Sequence, residues 1–285
     1  MQINGESGSP VVFRGASATK GFYRGIYIGP NVTSNSVISH TEIHHAGGLD
    51  THALTVRARI TLDNLTLEDN VIGALFESPL QPASTMLTIT GTDDVPLTVE
   101  LPALTSIPTG GSFVGNDEDE VVIDDSDSTH VLAGTVPDLG VPYHLLGDIA
   151  LQEGSDIEIA PGTEFIMGGE SNIEIGWNSN MATFKAIGTP TEPIVFVGEQ
   201  NTAGYWPGIL VRQNTTADST FQYVIIKNAG RAGSAALDLD RAITVTNCTI
   251  DSSAGAGIFK KAADASDYVT PNTFTNVAQG NVIDQ

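Results

Sequence analysis

The feature that most constrains this chain is that it can be laid over itself at a fixed offset. Pro10-Val11-Val12-Phe13-Arg14-Gly15 returns as Pro193-Ile194-Val195-Phe196-Val197-Gly198, an offset of 193 − 10 = 183 positions, far longer than one supersecondary unit. The same offset places Gly21-Phe22-Tyr23-Arg24-Gly25-Ile26 on Gly204-Tyr205-Trp206-Pro207-Gly208-Ile209, and Ile43-His44-His45-Ala46-Gly47 on Ile226-Lys227-Asn228-Ala229-Gly230. Ile60-Thr61-Leu62-Asp63-Asn64 falls on Ile243-Thr244-Val245-Thr246-Asn247. Roughly a third of the residues from about 5 to 77 are identical between the copies, as a duplicated module gives. The chain samples that module about one and a half times, out of phase, and is expected to be part of a larger polypeptide.

A shorter period lies inside each copy. Ile226, Ile250 and Phe274 are 24 apart, as are Ile43 and Leu67 (67 − 43 = 24), close to the length of one solenoid coil. Apolar residues alternate around these positions, as in Phe221, Tyr223, Ile225 and in Ile243, Val245, with Gly, Asn or Asp between the runs. That is the pattern of short half-buried strands. No long 3.6-residue period competes. The expected fold is all-β, a right-handed parallel β-helix with rungs of about 24 residues, in which each rung buries its inward side chains against the next. A pair of β-sandwiches is the competing architecture. Gly and Asn suit the corners because they enter φ > 0 at little steric cost. The matched Asn64 and Asn247 are expected either to bond across rungs or to be solvated turn residues.

The densest acidic stretch runs from Asp117 to Asp127 and divides the chain into residues 1–120, the C-terminal part of a first repeat, and 121–285, the second. After it come Ile157-Glu158-Ile159-Ala160-Pro161-Gly162-Thr163-Glu164-Phe165, then Gly188-Thr189-Pro190-Thr191-Glu192-Pro193-Ile194-Val195-Phe196, then Trp206-Pro207-Gly208-Ile209. This succession resembles the right-handed β-helix repeat modules of large secreted or cell-surface bacterial proteins, with a pectate-lyase-like architecture. The first copy departs from it with Tyr23 and Arg24 in place of Trp206 and Pro207. The resemblance implies an extracellular or cell-surface location and a structural or adhesive role that takes carbohydrate or other surface proteins as partners. It also admits an enzyme, a β-helix polysaccharide lyase or glycoside hydrolase, and fold alone does not choose between them.

Charge narrows the partners. Against 12 Lys+Arg stand 34 Asp+Glu, a formal charge of −22, so nucleic acid and anionic lipid are repelled. No apolar run approaches the ~20 residues of a membrane-spanning helix. Cations are the natural partners; the expectation for the acidic stretch is either a solvated charge run with no cofactor or a site for Ca²⁺. Asp117, Asp119, Asp124, Asp125 and Asp127 offer the carboxylate oxygens that this hard ion takes, without the glycine and terminal glutamate of an EF-hand. His40, Glu42 and His44, two apart, would share a strand face and offer three ligands to a divalent metal; a solvated histidine face is the alternative.

For catalysis the resemblance points to acidic calcium ligands with an Arg or Lys base, or to paired carboxylates across a groove. Only Asp238, Asp240 and Arg231 imitate such a set, and the first copy carries Thr55, Arg57 and Gly48 there. A solvent-facing ion pair is the competing assignment. Walker loops, G-x-G-x-x-G, paired cysteines and H-E-x-x-H are absent. Tyr205 and Trp206 either stack on a sugar or close the core beneath a turn, and the lone Cys248 is expected to be a buried, inert thiol.

Overall fold

The structure, a computed structural model, describes residues 1–124, 129–152, 154–177 and 181–285. The chain divides into two units, Met1–Asp124 with Leu139–Pro142, and Asp125–Asp138 with Tyr143–Gln285. Each is a stack of short parallel strands, and among the described residues the one helical segment is the 3₁₀ turn Leu101–Ser106.

In the first unit, Gln2–Asn4 and Val11–Arg14 both pair with Val37–His44, which pairs in turn with Thr61–Glu68 and then Thr85–Thr90. A second ladder runs through Ile26–Ile28, Leu54–Val56, Ala74–Phe76, Leu97–Val99 and Val121–Ile123. The second unit has three ladders. One runs from Tyr143–Leu145 through Glu164–Met167, Ile194–Gly198, Val224–Lys227 and Thr249–Asp251 to Thr273–Thr275. Another climbs through Ile149–Leu151, Asn172–Ile175, Gly208–Val211, Ala235–Leu239 and Ala256–Lys260 to Val282–Asp284. The third links Ala133–Val136, Asp156–Ile159, Thr183–Ile187, Thr220–Gln222 and Thr244–Thr246.

The 24-residue spacing is a register. Ile43 lies beside Leu67, and Ile226 beside Ile250, which lies beside Phe274. Ile43, Leu67 and Ile89 are wholly buried, as are Leu54, Val56 and Phe76 on the next ladder. Each such side chain removed from water contributes roughly 1.5–3 kcal/mol, so the stack of inward positions is what holds a coil to its neighbours. In the second unit the rings of Tyr143, Phe165 and Phe196 occupy successive coils with centroids 5.4 and 5.0 Å apart, nearly parallel. Trp206 is fully buried and its Nε1 donates to the Lys227 carbonyl, so of the two alternatives it closes the core. Cys248 is buried too, as expected.

The duplication reappears in the backbone. Left-handed residues recur at the 183-residue offset: His40 and Tyr223, His45 and Asn228, Asn64 and Asn247, Asp69 and Ser252, with φ between 51° and 63° apart from His40 at 43°. These are the corners where one strand turns into the next. Gly25 and Gly208 are matched at φ 126° and 122°. A Cβ at Gly25 would lie 2.3 Å from the His52 carbonyl oxygen and one at Gly208 2.5 Å from that of Ala235, so only glycine fits either coil. The offset drifts farther along. Leu67 is followed one coil later by Ile89, 22 residues on, whereas Ile250 is followed by Phe274, 24 on. The first copy is therefore two residues shorter by that point, which is why the sequence match fades near residue 77.

Candidate functional site

The tightest cluster of charge in the second unit lies on the outward side of the ladder through Asn172–Ile175, Gly208–Val211, Ala235–Leu239 and Ala256–Lys260. Glu174, Leu210, Asp238 and Phe259 are successive register partners there. One residue beyond the pairs Val211↔Leu239 and Leu239↔Lys260 stand Arg212, Asp240 and Lys261, each directly above the last. Arg212 Nε is bonded to Glu174 Oε1, and its Nη1 lies 3.6 Å from Asp240 Oδ2. Lys261 Nζ closes the row 2.6 Å from Asp240 Oδ1. Burial would lower the Arg212 pKa, but the carboxylates of Glu174, Asp240 and Asp238 more than offset this and hold it above its usual value. Asp238 is half-buried, with one carboxylate oxygen shielded from solvent and lacking a hydrogen-bond partner. Burial first, then the neighbouring Asp240, pushes its carboxyl up, while Arg212 and Lys261 pull it down.

Asp238 and Asp240 thus come together on one face. Arg231 does not join them: its guanidinium makes two bonds to Glu170, at 2.7 and 3.1 Å, and a third to the Gly169 carbonyl. The basic groups beside the aspartates are Arg212 and Lys261, which sequence inspection missed along with Glu174. The one signal for them is that 212, 240 and 261 are each about one coil apart.

The first copy has a counterpart for the last two members of this row. Arg57 and Glu77 stand one residue beyond the register pair Val56↔Phe76, and they are ion-paired. They correspond to Asp240 and Lys261 with the sign of each partner reversed. Both copies thus carry a cross-coil ion pair at this place.

His40, Glu42 and His44 are divided by the corner. His40 is itself a left-handed residue, and its Nδ1 is 2.8 Å from the Asn64 side-chain nitrogen one coil above, so Asn64 bonds across rungs. Glu42 and His44 share the outward face beyond it. His44 Nε2 lies 3.3 Å from Glu42 and its Nδ1 3.7 Å from Glu68 on the next coil. The second copy has Lys227 at the place of His44 and Asp251 at that of Glu68, 4.0 Å apart, so this too is a basic and an acidic side chain stacked between coils. His40 and Glu42 border, with Glu6, Ser7 and Asn64, an open polar cleft of about 180 Å³.

Of the acidic stretch, Asp125 and Asp127 lie outside the described residues. Asp119 folds back on its own turn, accepting from the backbone N–H of Asn116 at 2.8 Å and of Gly115 at 3.1 Å. Burial raises its carboxyl, but these bonds and one from the Asn116 side chain together outweigh it, leaving the pKa below its usual value. Asp117 and Asp124 are exposed. Among the described residues, no group of three or more His, Cys, Asp and Glu side chains converges to hold a metal ion, and no helix is long and apolar enough to cross a membrane.

Comparison with protein-family models, with curated proteins and with solved structures returns no match.

Proposed function

We propose that this chain is a non-catalytic structural and adhesive module of the bacterial cell exterior, a β-helix of pectate-lyase-like architecture belonging to a larger surface or secreted protein. The observation that carries the reading is the sign-reversed pair. Of the two residues most like catalytic carboxylates, Asp240 belongs to a cross-coil pair with Lys261 whose first-copy equivalent is the ion pair of Arg57 and Glu77, and Asp238 is replaced there by Thr55, so neither carboxylate is kept by the repeat. Ligands of this module are carbohydrate or other surface proteins engaging an outward strand face, and it needs no cofactor for this, Ca²⁺ being the cation that its exposed carboxylates would attract.

A second reading rests on Asp238, whose unpartnered oxygen and raised pKa beside Arg212 and Lys261 are the features of a proton-transfer group. On it the chain is a β-helix polysaccharide lyase or hydrolase. Incubation with uronate-containing and neutral polysaccharides, scored for both binding and new chain ends, separates the two. Binding without cleavage is expected. Cleavage that disappears in Asp238→Ala would overturn the non-catalytic reading.

A further inference from the structure

Asn-x-Thr triplets occur at Asn31-Val32-Thr33, Asn64-Leu65-Thr66, Asn214-Thr215-Thr216 and Asn247-Cys248-Thr249. They form two pairs at the offset of the duplication, 214 − 31 = 183 and 247 − 64 = 183. In each pair the asparagine and the threonine are kept while the residue between them changes.

Packing accounts for the first pair. Thr215 is wholly buried, and the Thr216 hydroxyl lies 3.0 Å from that of Thr183, so this segment is built into its coil. The second pair is different. Leu65 and Cys248, the residues that change, are the buried ones, whereas Asn64, Thr66 and Thr249 are part-exposed and Asn247 is exposed. Burial fixes residue type elsewhere in the coil, yet here the outward flanks are the ones held. The corner does not demand asparagine, because His40, Met86 and Tyr223 occupy it on neighbouring coils at φ 43°, 35° and 51°. The position two residues on does not demand threonine, because its register partners one coil before are Glu42 and Ile225. Outward positions nearby have drifted between the copies, His44 to Lys227 and Glu68 to Asp251.

Asparagine, any residue but proline, then threonine is the acceptor sequence for an asparagine-linked glycan. We infer that Asn64 and Asn247 are matched acceptors of such a glycan, one in each copy of the module, at outward corners with a coil on either side. The donor is an oligosaccharide carried on a polyprenyl phosphate. The side-chain amide nitrogen bonds to the anomeric carbon of the first sugar. The bond from that carbon to the phosphate oxygen breaks, its electron pair leaving with the phosphate, which takes up the proton lost by the amide. Nothing is oxidised or reduced. One N–H remains on the nitrogen, so Asn64 keeps its bond to His40 Nδ1, and the first sugar lies against the open polar cleft that Asn64 and Thr66 border. The inference rests on the exterior location proposed above, where lipid-linked donors are used, and is independent of whether the module is catalytic.

Peptide mass spectrometry on the full chain, recovered from the cells that make it, tests this. The peptides holding Asn64 and Asn247 are expected to carry a glycan mass on the asparagine. Thr66→Val and Thr249→Val keep the asparagine and the branched side chain but remove the hydroxyl, and each is expected to lose the glycan at its own site. Thr66→Ser and Thr249→Ser should retain it. Protease added to intact cells reports the location separately. Unmodified asparagines in protein that the protease reaches overturn the inference and leave the exterior location standing; unmodified asparagines in protein that it does not reach overturn both. A modification that survives the valine substitutions also overturns the inference, because it does not read the triplet.

Discussion

Arg57 and Glu77 form an ion pair between adjacent coils of the first unit at the place where Asp240 and Lys261 pair in the second, with the sign of each partner reversed. Opposite charge between neighbouring coils is retained while the identity of each charge is not. The reversal predicts a measurable symmetry. Lys261→Glu alone sets two carboxylates against each other and is expected to lower the melting temperature, by no more than about 3 °C for so exposed a pair. Adding Asp240→Arg should restore only part of it, because Arg212, 3.6 Å from Asp240, then faces a like charge, and a thermodynamic cycle over the two single variants and the double reads the coupling directly. Additive losses in the double variant would show that the row is not a ladder.

Asp238 should behave as a stability cost that pH switches. Its carboxyl is raised by burial and by Asp240, so the folded state holds the proton more tightly than the unfolded one. The contribution is therefore most favourable below the unfolded carboxyl pKa, about 4, and is lost as pH rises through the folded value. Asp238→Asn is expected to melt higher than the parent at pH 7, the gain shrinking to nothing near pH 4. Calorimetric melts across that range check the sign; a variant that melts lower at pH 7 would mean that Arg212 and Lys261 need this charge more than burial opposes it.

How far the sequence speaks depends on the distance over which a feature repeats. The inward positions Ile43, Leu67, Ile226, Ile250 and Phe274 are legible because burial fixes their residue type and a coil of 24 fixes their spacing. The left-handed corners at Asn64 and Asn247 are legible because asparagine enters positive φ at little cost and the 183-residue offset aligns the two. The charge row is not. Its members sit outside, where either sign is tolerated, and the coils joining them differ: Arg212 to Asp240 spans 28 residues and Asp240 to Lys261 spans 21. Spacing alone therefore offered Arg231, nearer in sequence to Asp238, although the coil turns it toward Glu170. Strand alternation alone groups His40 with Glu42 and His44, and the positive φ of His40 interrupts that alternation.

Cys248 is buried, and burial pushes its thiol pKa up to about 11. Thiolate is the reacting species, so a disulfide reagent at pH 8 is expected to leave the native protein unlabelled for hours and to label one equivalent at once in denaturant. Rapid labelling of the folded protein would mean that the coil around Thr249–Asp251 opens readily.

A loss as large as a core truncation is expected at the asparagines that brace one coil to the next. Asn70 is wholly buried; its side-chain oxygen accepts from the Ala46 N–H at 2.8 Å and its nitrogen donates to the Ile43 carbonyl at 3.0 Å. Asn116 does the same to Thr92 and Ile89, and Asn272 to Cys248 and Val245, always 24 and 27 residues back. These backbone groups lie at corners, where the ladder cannot pair them, and stranding a buried polar group costs about 1–3 kcal/mol. Asn70→Ala strands two and should cost about 2–4 kcal/mol in denaturant unfolding. Asn70→Ser should cost less, because Ser253 fills the matched position in the second unit and its hydroxyl still reaches the coil beneath at the Gly230 carbonyl. Equal losses in the two variants would mean that side-chain volume, not the bridging bonds, sets the stability of the corner.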